Sequence, residues 1–294
     1  MSYQQLKGTG VALVTPFTND GGIDHDALEK LATHVVKAGV DFLVALGTTA
    51  ETPTLSLQEK KDVLATVMRV ANGEVPVVCG IGGNNTAETV EMLKEMDLRG
   101  VDAILSVAPY YNRPTQEGMY QHFAAIAENT SKPIILYNVP ARTGSNLLPA
   151  TVIRLANKFN NIVAIKEASG NMAQCLELMH DKPDNFIVLS GDDNLALAHM
   201  AIGMEGIISV AANCFTKDMT DIINLAIVGK FDKARRIFYK ILPGIDLLFA
   251  DGNPAGVKCV LSHMGLCKQN LRLPLVPVSE GVDTSIKKFM AATH

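Results

Sequence analysis

Ile162-Val163-Ala164-Ile165-Lys166 is a run of four apolar residues ended by an amine. Apolar character without polar alternation marks a strand covered on both faces, which is how strands of a parallel sheet read. A lysine closing such a strand stands at the mouth of an apolar core. Burial disfavours the ammonium form, so an amine held there can lose its proton near neutrality and attack ketones. The competing reading is a lysine whose stem lies along apolar surface, or one paired with the adjacent Glu167.

Working outward, seven further runs have the same character: Thr9 to Thr15, Phe42 to Leu46, Val75 to Cys79, Ala103 to Val107, Ile134 to Tyr137, Phe186 to Leu189 and Gly206 to Val210. Longer amphipathic stretches separate them. Eight strands alternating with helices call for an α/β fold with parallel pairing and helices outside, the pattern of a closed (β/α)8 TIM barrel. Ser56-x-x-Glu59 and Asn85-x-x-Glu88 have capping-box form, and Asp192-Asp193 is suited to cap the stretch through Met204. Past Gly229 the strand signal stops, and Phe231 to Leu248 and Val257 to Met264 read as helices, with loops at Asn253-Pro254 and around Pro274 and Pro277. The expected organisation is a catalytic barrel over 1–228 and a C-terminal helical region over 229–294.

The 294 residues are 48% hydrophobic, ample for one large core, and 26 basic against 30 acidic residues give no footprint for nucleic acid or an acidic membrane. No apolar stretch reaches the length of a membrane span and residues 1–10 lack the apolar middle of a secretion signal, so a cytoplasmic location is expected. The five cysteines are scattered and odd in number, which reads as reduced core thiols. The seven histidines form no tight ligand cluster, and no metal is expected.

In a barrel of this kind the reactive groups gather where strands end. Strand two ends in Gly47-Thr48-Thr49-Ala50-Glu51, whose hydroxyls could hold a small anion or satisfy their own turn. Strand three gives Gly80-Ile81-Gly82-Gly83-Asn84, a tight turn rather than a dinucleotide loop, since Asn85 stands where the last glycine should be. Strand four is followed by Pro109-Tyr110-Tyr111-Asn112, strand five by Tyr137-Asn138-Val139-Pro140-Ala141-Arg142-Thr143-Gly144, and strand seven by Ser190-Gly191-Asp192-Asp193. A strand-end phenol can relay protons, and an arginine nearby can grip a carboxylate through two parallel hydrogen bonds. For the Asp pair, helix capping is the favoured role.

Gly47-Thr48-Thr49-x-Glu51, Pro109-Tyr110-Tyr111-Asn112, Tyr137-Asn138-Val139-Pro140, Ile165-Lys166-Glu167 and Ser190-Gly191-Asp192, in this order and spacing across essentially the whole chain, resemble the dihydrodipicolinate synthase family, a branch of the pyruvate-dependent Schiff-base lyases. The resemblance implies a homotetramer that condenses pyruvate with L-aspartate-4-semialdehyde through an imine on Lys166, with no metal or organic cofactor. It implies that Tyr137 shuttles protons with Thr48 and Tyr111, the latter from a neighbouring subunit. Thr49 and Ile208 match pyruvate contacts, Gly191 lines the same pocket, and Arg142 matches the group that holds the semialdehyde carboxylate. N-acetylneuraminate lyases and keto-deoxy-sugar aldolases share the lysine and tyrosine but lack the Arg-Thr-Gly after the proline. They form the runner-up, and a non-catalytic ligand-binding barrel is the alternative of another class.

Two departures from the family pattern stand out. Ala50 replaces the usual glycine, which would store strain of order 1 kcal/mol if its φ were positive. At the effector site that lysine-inhibited members carry, Asn84, Glu88 and Tyr110 match, whereas Lys60 and Leu57 stand where histidine is common. A fixed cation at Lys60 implies weak feedback inhibition or none.

Overall fold

Strands β1 (Gly8–Ala12), β2 (Phe42–Ala45), β3 (Val77–Gly80), β4 (Ala103–Val107), β5 (Ile134–Asn138), β6 (Ile162–Glu167), β7 (Ile187–Ser190) and β8 (Gly206–Ser209) pair in parallel in chain order. The ring closes where β8 lies beside β1, with Gly8 opposite Gly206 and Val11 opposite Ser209. The computed structural model describes residues Tyr3–Thr293, so the outer limits drawn above at 1 and 294 lie outside the described residues. The chain is a (β/α)8 barrel, as its alternation implies. β1 stops short of Thr15 because the Asn213 side chain takes over the edge, donating to Ala12 O and accepting from Val14 N–H.

Around the strands run α1 (His25–Lys37), α2 (Leu57–Ala71), α3 (Thr86–Glu95), α4 (Gln116–Glu128), the single turn α5 (Pro140–Thr143), α6 (Pro149–Lys158), α7 (Met172–Asp181), α8 (Ala196–Ala201) and α9 (Thr216–Ile227). Ser56 and Glu59 do form a reciprocal capping box at α2. Asn85 caps α3 through Ala87 N–H, but Glu88 bonds the Asn85 side-chain amide instead of its backbone, so no box forms there. Three more helices follow, α10 (Phe231–Phe249), α11 (Ala255–His263) and α12 (Glu280–Thr293). The last was not anticipated as a separate helix; Ile286 is its one fully buried residue, with Val282 and Met290 half-buried beside it and Phe289 edge-on to Phe215.

Alternation along each strand sorts side chains into two cores. Phe42, Val44, Val78, Leu105, Ile135, Val163, Leu189 and Ile208 fill the barrel interior, while Leu43, Cys79, Ile104, Leu136, Ile165 and Val188 face the helices. Gly10 makes room for Phe42: a β-carbon there would lie 2.1 Å from the ring. Truncating a buried phenylalanine of this kind to alanine costs about 3–5 kcal/mol. The cysteines are all unpaired and four are buried. Among the described residues no helix is long and apolar enough to cross a membrane.

Two histidines are sealed into this shell. His122 Nδ1 lies 2.9 Å from Thr86 Oγ1, and His199 Nδ1 lies 2.8 Å from Ser190 Oγ. Burial holds both imidazoles well below their ordinary range, at about 4. At these two sites the unfolded chain therefore binds more protons than the folded one between about pH 6.5 and 4, so their contribution to stability is complete above that window and is lost as pH drops through it. Melting temperature followed against pH is expected to decline below about pH 6.5, and His122→Phe, which keeps a ring in place, to flatten part of the decline. An identical acid profile for the variant would contradict the assignment.

Candidate active site

β5 and β6 are paired so that Tyr137 lies opposite Lys166 and Asn138 opposite Glu167. Because side chains alternate along a strand, this register sends Tyr137 and Lys166 into the barrel and Asn138 and Glu167 outward. Lys166 is 5% exposed, and its Nζ lies 4.3 Å from the centroid of the Tyr137 ring. Behind the pair, the Asn138 amide donates to Glu167 Oε2 at 3.0 Å, Ser169 N–H donates to Glu167 Oε1 at 2.7 Å, and Gln174 donates to Glu167 Oε2 at 3.3 Å. Asn146 links Asn138 and Gln174, and Leu147 N–H donates to Asn138 Oδ1. The two inward-facing groups are thus locked from outside the barrel.

A cavity of about 470 Å³ opens above the strand ends, lined by Thr48, Tyr110, Tyr137 and Arg142 together with Pro274 and Leu275 of the C-terminal region. Gly191 lies against Lys166: a β-carbon there would sit 2.9 Å from Lys166 Cε and 2.6 Å from Ala168 Cβ, so only glycine leaves the amine its place. Ile208 is a buried wall of the barrel interior. Thr49 is buried, its hydroxyl accepting from Asn253 Nδ2 at 3.0 Å. Tyr111 is not brought into this cavity by its own chain: it is 88% exposed, with φ at 70°.

Carboxyls crowd the base of the site. Burial raises the Asp192 carboxyl to about 6, against the pull of the Gly170 N–H and of the Lys166 charge. Burial likewise raises Glu167 and Asp193. The expected capping by the Asp pair is not found. Asp192 precedes a short 3-10 turn without a side-chain cap, and Asp193 instead accepts from Ser209 Oγ and from the N–H groups of Val210 and Ala211. A buried carboxylate with three donors is better satisfied there than at a frayed helix end, and it ties the β7 loop to the β8 loop.

Asn84, Glu88, Tyr110 and Lys60 line a second cavity of about 190 Å³ that shares Tyr110 and Lys60 with the first. Ala50 is not strained. The left-handed residue is Glu51, at φ 54°, which closes the turn Thr48–Ala50. Asn253, Glu51 and Lys258 went unremarked as site residues, and only their polarity in apolar surroundings, as in Val257-Lys258-Cys259-Val260-Leu261, could have signalled them. Among the described residues one group has metal-ligand character, Cys259, His263 and Asp283 on α11 and α12. Its members bond one another, and Lys287 Nζ donates to the second Asp283 oxygen at 2.6 Å.

Residues 5–293 match the profile of the dihydrodipicolinate synthetase family. The chain is 52% identical over 285 residues to the 4-hydroxy-tetrahydrodipicolinate synthase of Azobacteroides pseudotrichonymphae, covering 97% of this chain and 96% of that one. Among solved structures, the chloride-inhibited dihydrodipicolinate synthase of Acinetobacter baumannii in complex with pyruvate superposes with a TM-score of 0.95 at 41% identity, over 98% of this chain and 99% of that one. The enzyme of Cyanidioschyzon merolae with lysine bound gives 0.95 at 34% identity, over 98% of each chain.

Glu167 accepts from every neighbour it touches, so Glu167→Gln would set an amide donor against other donors. Denaturant unfolding is expected to show a loss of about 1–3 kcal/mol. Unchanged stability would show that the network does not lock β5 to β6.

Proposed function

The chain belongs to the dihydrodipicolinate synthetase family, and from that premise we propose how its residues carry out the reaction of a 4-hydroxy-tetrahydrodipicolinate synthase, in lysine and diaminopimelate biosynthesis. The observation that carries the reading is the buried amine of Lys166 facing the Tyr137 ring at 4.3 Å. No carboxylate holds that amine in an ion pair among the described residues.

The Lys166 amine attacks the ketone carbon of pyruvate, and the carbinolamine oxygen leaves as water once Tyr137 protonates it. The protonated imine withdraws electrons, so the methyl group loses a proton and becomes an enamine carbon. That carbon attacks the aldehyde of L-aspartate-4-semialdehyde. The substrate amine then closes the ring onto the imine carbon and expels Lys166, giving 4-hydroxy-tetrahydrodipicolinate. The covalent imine is itself the electron sink, and neither a metal nor an organic cofactor is needed.

Thr48 relays protons to and from Tyr137. Thr49 and Ile208 contact pyruvate, Gly191 leaves it space, and Arg142 grips the semialdehyde carboxylate with its planar fork. Tyr111, exposed on its own chain, completes the relay in a neighbouring copy, so each site needs a dimer; the family resemblance supplies the larger assembly, a homotetramer built from two such dimers.

Borohydride added with pyruvate is expected to leave a stable mass on the wild type and none on Lys166→Ala, and pyruvate with aspartate semialdehyde to be turned over. Turnover of an acylated amino-sugar or sugar aldehyde instead would favour the sialic-acid or keto-sugar aldolase. Trapping with no turnover of any aldehyde would favour a binding protein.

Lys60 on the wall of the smaller cavity opposes a cationic effector with its own ammonium. L-lysine is expected to inhibit weakly or not at all in a steady-state assay. Half-maximal inhibition at sub-millimolar L-lysine would contradict this.

A further inference from the structure

Lys258 on α11 and Glu51 after β2 stand 207 residues apart in the chain, yet Lys258 Nζ lies 2.5 Å from Glu51 Oε1. Both side chains are 0% exposed. The ammonium also donates to Asn270 O at 2.8 Å and faces the Phe17 ring, 4.2 Å from its centroid. The second Glu51 oxygen accepts from Arg272 N–H at 3.0 Å. Both oxygens of this carboxylate are therefore held by the C-terminal region, and burial lowers the Lys258 ammonium against the pull of Glu51.

A pair so deeply withdrawn from water adds little net stability over apolar residues of equal volume, but neither charge tolerates being left alone. Its effect is geometric. Glu51 is the left-handed residue that closes the turn Thr48–Ala50, and Thr48 lines the larger cavity. The same turn is gripped a second time where Asn253, two residues before α11, donates to Thr49 Oγ1 at 3.0 Å. Within the turn itself, only short-range bonds such as Ala50 N–H to Gly47 O and Thr52 Oγ1 to Gly47 O restrain it.

We propose that Lys258 and Glu51 are positioning residues for the condensation: through them α11 clamps the Thr48–Thr49 turn in register with Lys166 and Tyr137. The proposal rests on the roles given above to Thr48 and Thr49. Lys258 is absent from the cavity lining; Glu51 belongs to that lining, but its fully buried carboxylate is committed to Lys258 and to Arg272 N–H, so both act through the turn.

The double variant Lys258→Met/Glu51→Gln neutralises both charges at nearly unchanged volume and leaves no unpaired ion. It is expected to melt close to the wild type. A displaced turn reduces kcat by about 10- to 100-fold and raises the pyruvate concentration for half-maximal borohydride trapping by about tenfold. The KM for aspartate semialdehyde, which Arg142 holds from the β5 loop, stays as in the wild type. A folded double variant with unchanged kcat and unchanged pyruvate half-saturation would overturn the proposal. A fall in kcat with both substrate affinities unchanged would overturn it too, since that marks fewer active molecules. Should the double variant not fold, Lys258→Leu/Glu51→Gln, a shorter apolar replacement that likewise leaves no unpaired ion, is measured with the same outcomes. Imine trapping needs only pyruvate, so a wild type that traps pyruvate but condenses no semialdehyde defeats the functional reading while the trapping ratio still decides the clamp.

Discussion

The parallel pairing of β5 with β6 is the constraint on which the site depends, because it alone sets Tyr137 against Lys166 inside the barrel. Side chains alternate with a period of two, so a slip of β6 by one residue would turn Lys166 outward and leave Ile165 or Glu167 facing Tyr137. The ladder is irregular near its start, between Ile134 and Ile135, and regular from there to the strand ends. The Glu167 network makes the slip unfavourable: its oxygens collect donors from Asn138, Ser169 and Gln174, which a shifted register would leave unsatisfied. Polar groups outside the barrel thus position reactive groups inside it.

A second theme is the dependence of the strand-two turn on residues far along the chain. Thr48 and Thr49 sit at the end of β2, but their turn is closed by Glu51 and bonded through Glu51 and Thr49 to Lys258, Arg272 and Asn253. Arg272 extends the same connection outward, pairing with Glu59 near the start of α2 and donating to Gly21 O and Thr54 O. Pro274 and Leu275 then reach the cavity rim. The helices after the barrel are consequently built into its catalytic face.

Much of this was legible in the sequence, and for identifiable reasons. Parallel strands covered on both faces are continuously apolar, so all eight could be located; Lys166, Tyr137, Thr48 and Arg142 stand at or just after their ends, but it was the family resemblance that gave them roles. Local capping chemistry was readable at Ser56, where donor and acceptor are three residues apart. At Asn85 the cap forms but Glu88 is taken by the Asn85 side-chain amide, and at Asp192-Asp193 the capping signal misled because Ser209, Val210 and Ala211, close in space, offered Asp193 better-placed bonds. Helix α12 was not read as a separate helix, and the Lys258–Glu51 pair escaped because nothing local announces a contact spanning the length of the barrel. Tyr111 is legible as a motif, but its use depends on a surface that one chain leaves open.

The central claim is a carbon–nitrogen bond between Lys166 and a 2-oxo acid beside Tyr137. A crystal structure of the protein soaked with pyruvate tests it most directly. Continuous density from Lys166 Nζ to the second carbon of pyruvate, with the Tyr137 hydroxyl within hydrogen-bond distance of the adduct, is the result expected. Pyruvate bound elsewhere, or lying in the cavity with the Lys166 amine free, would contradict it.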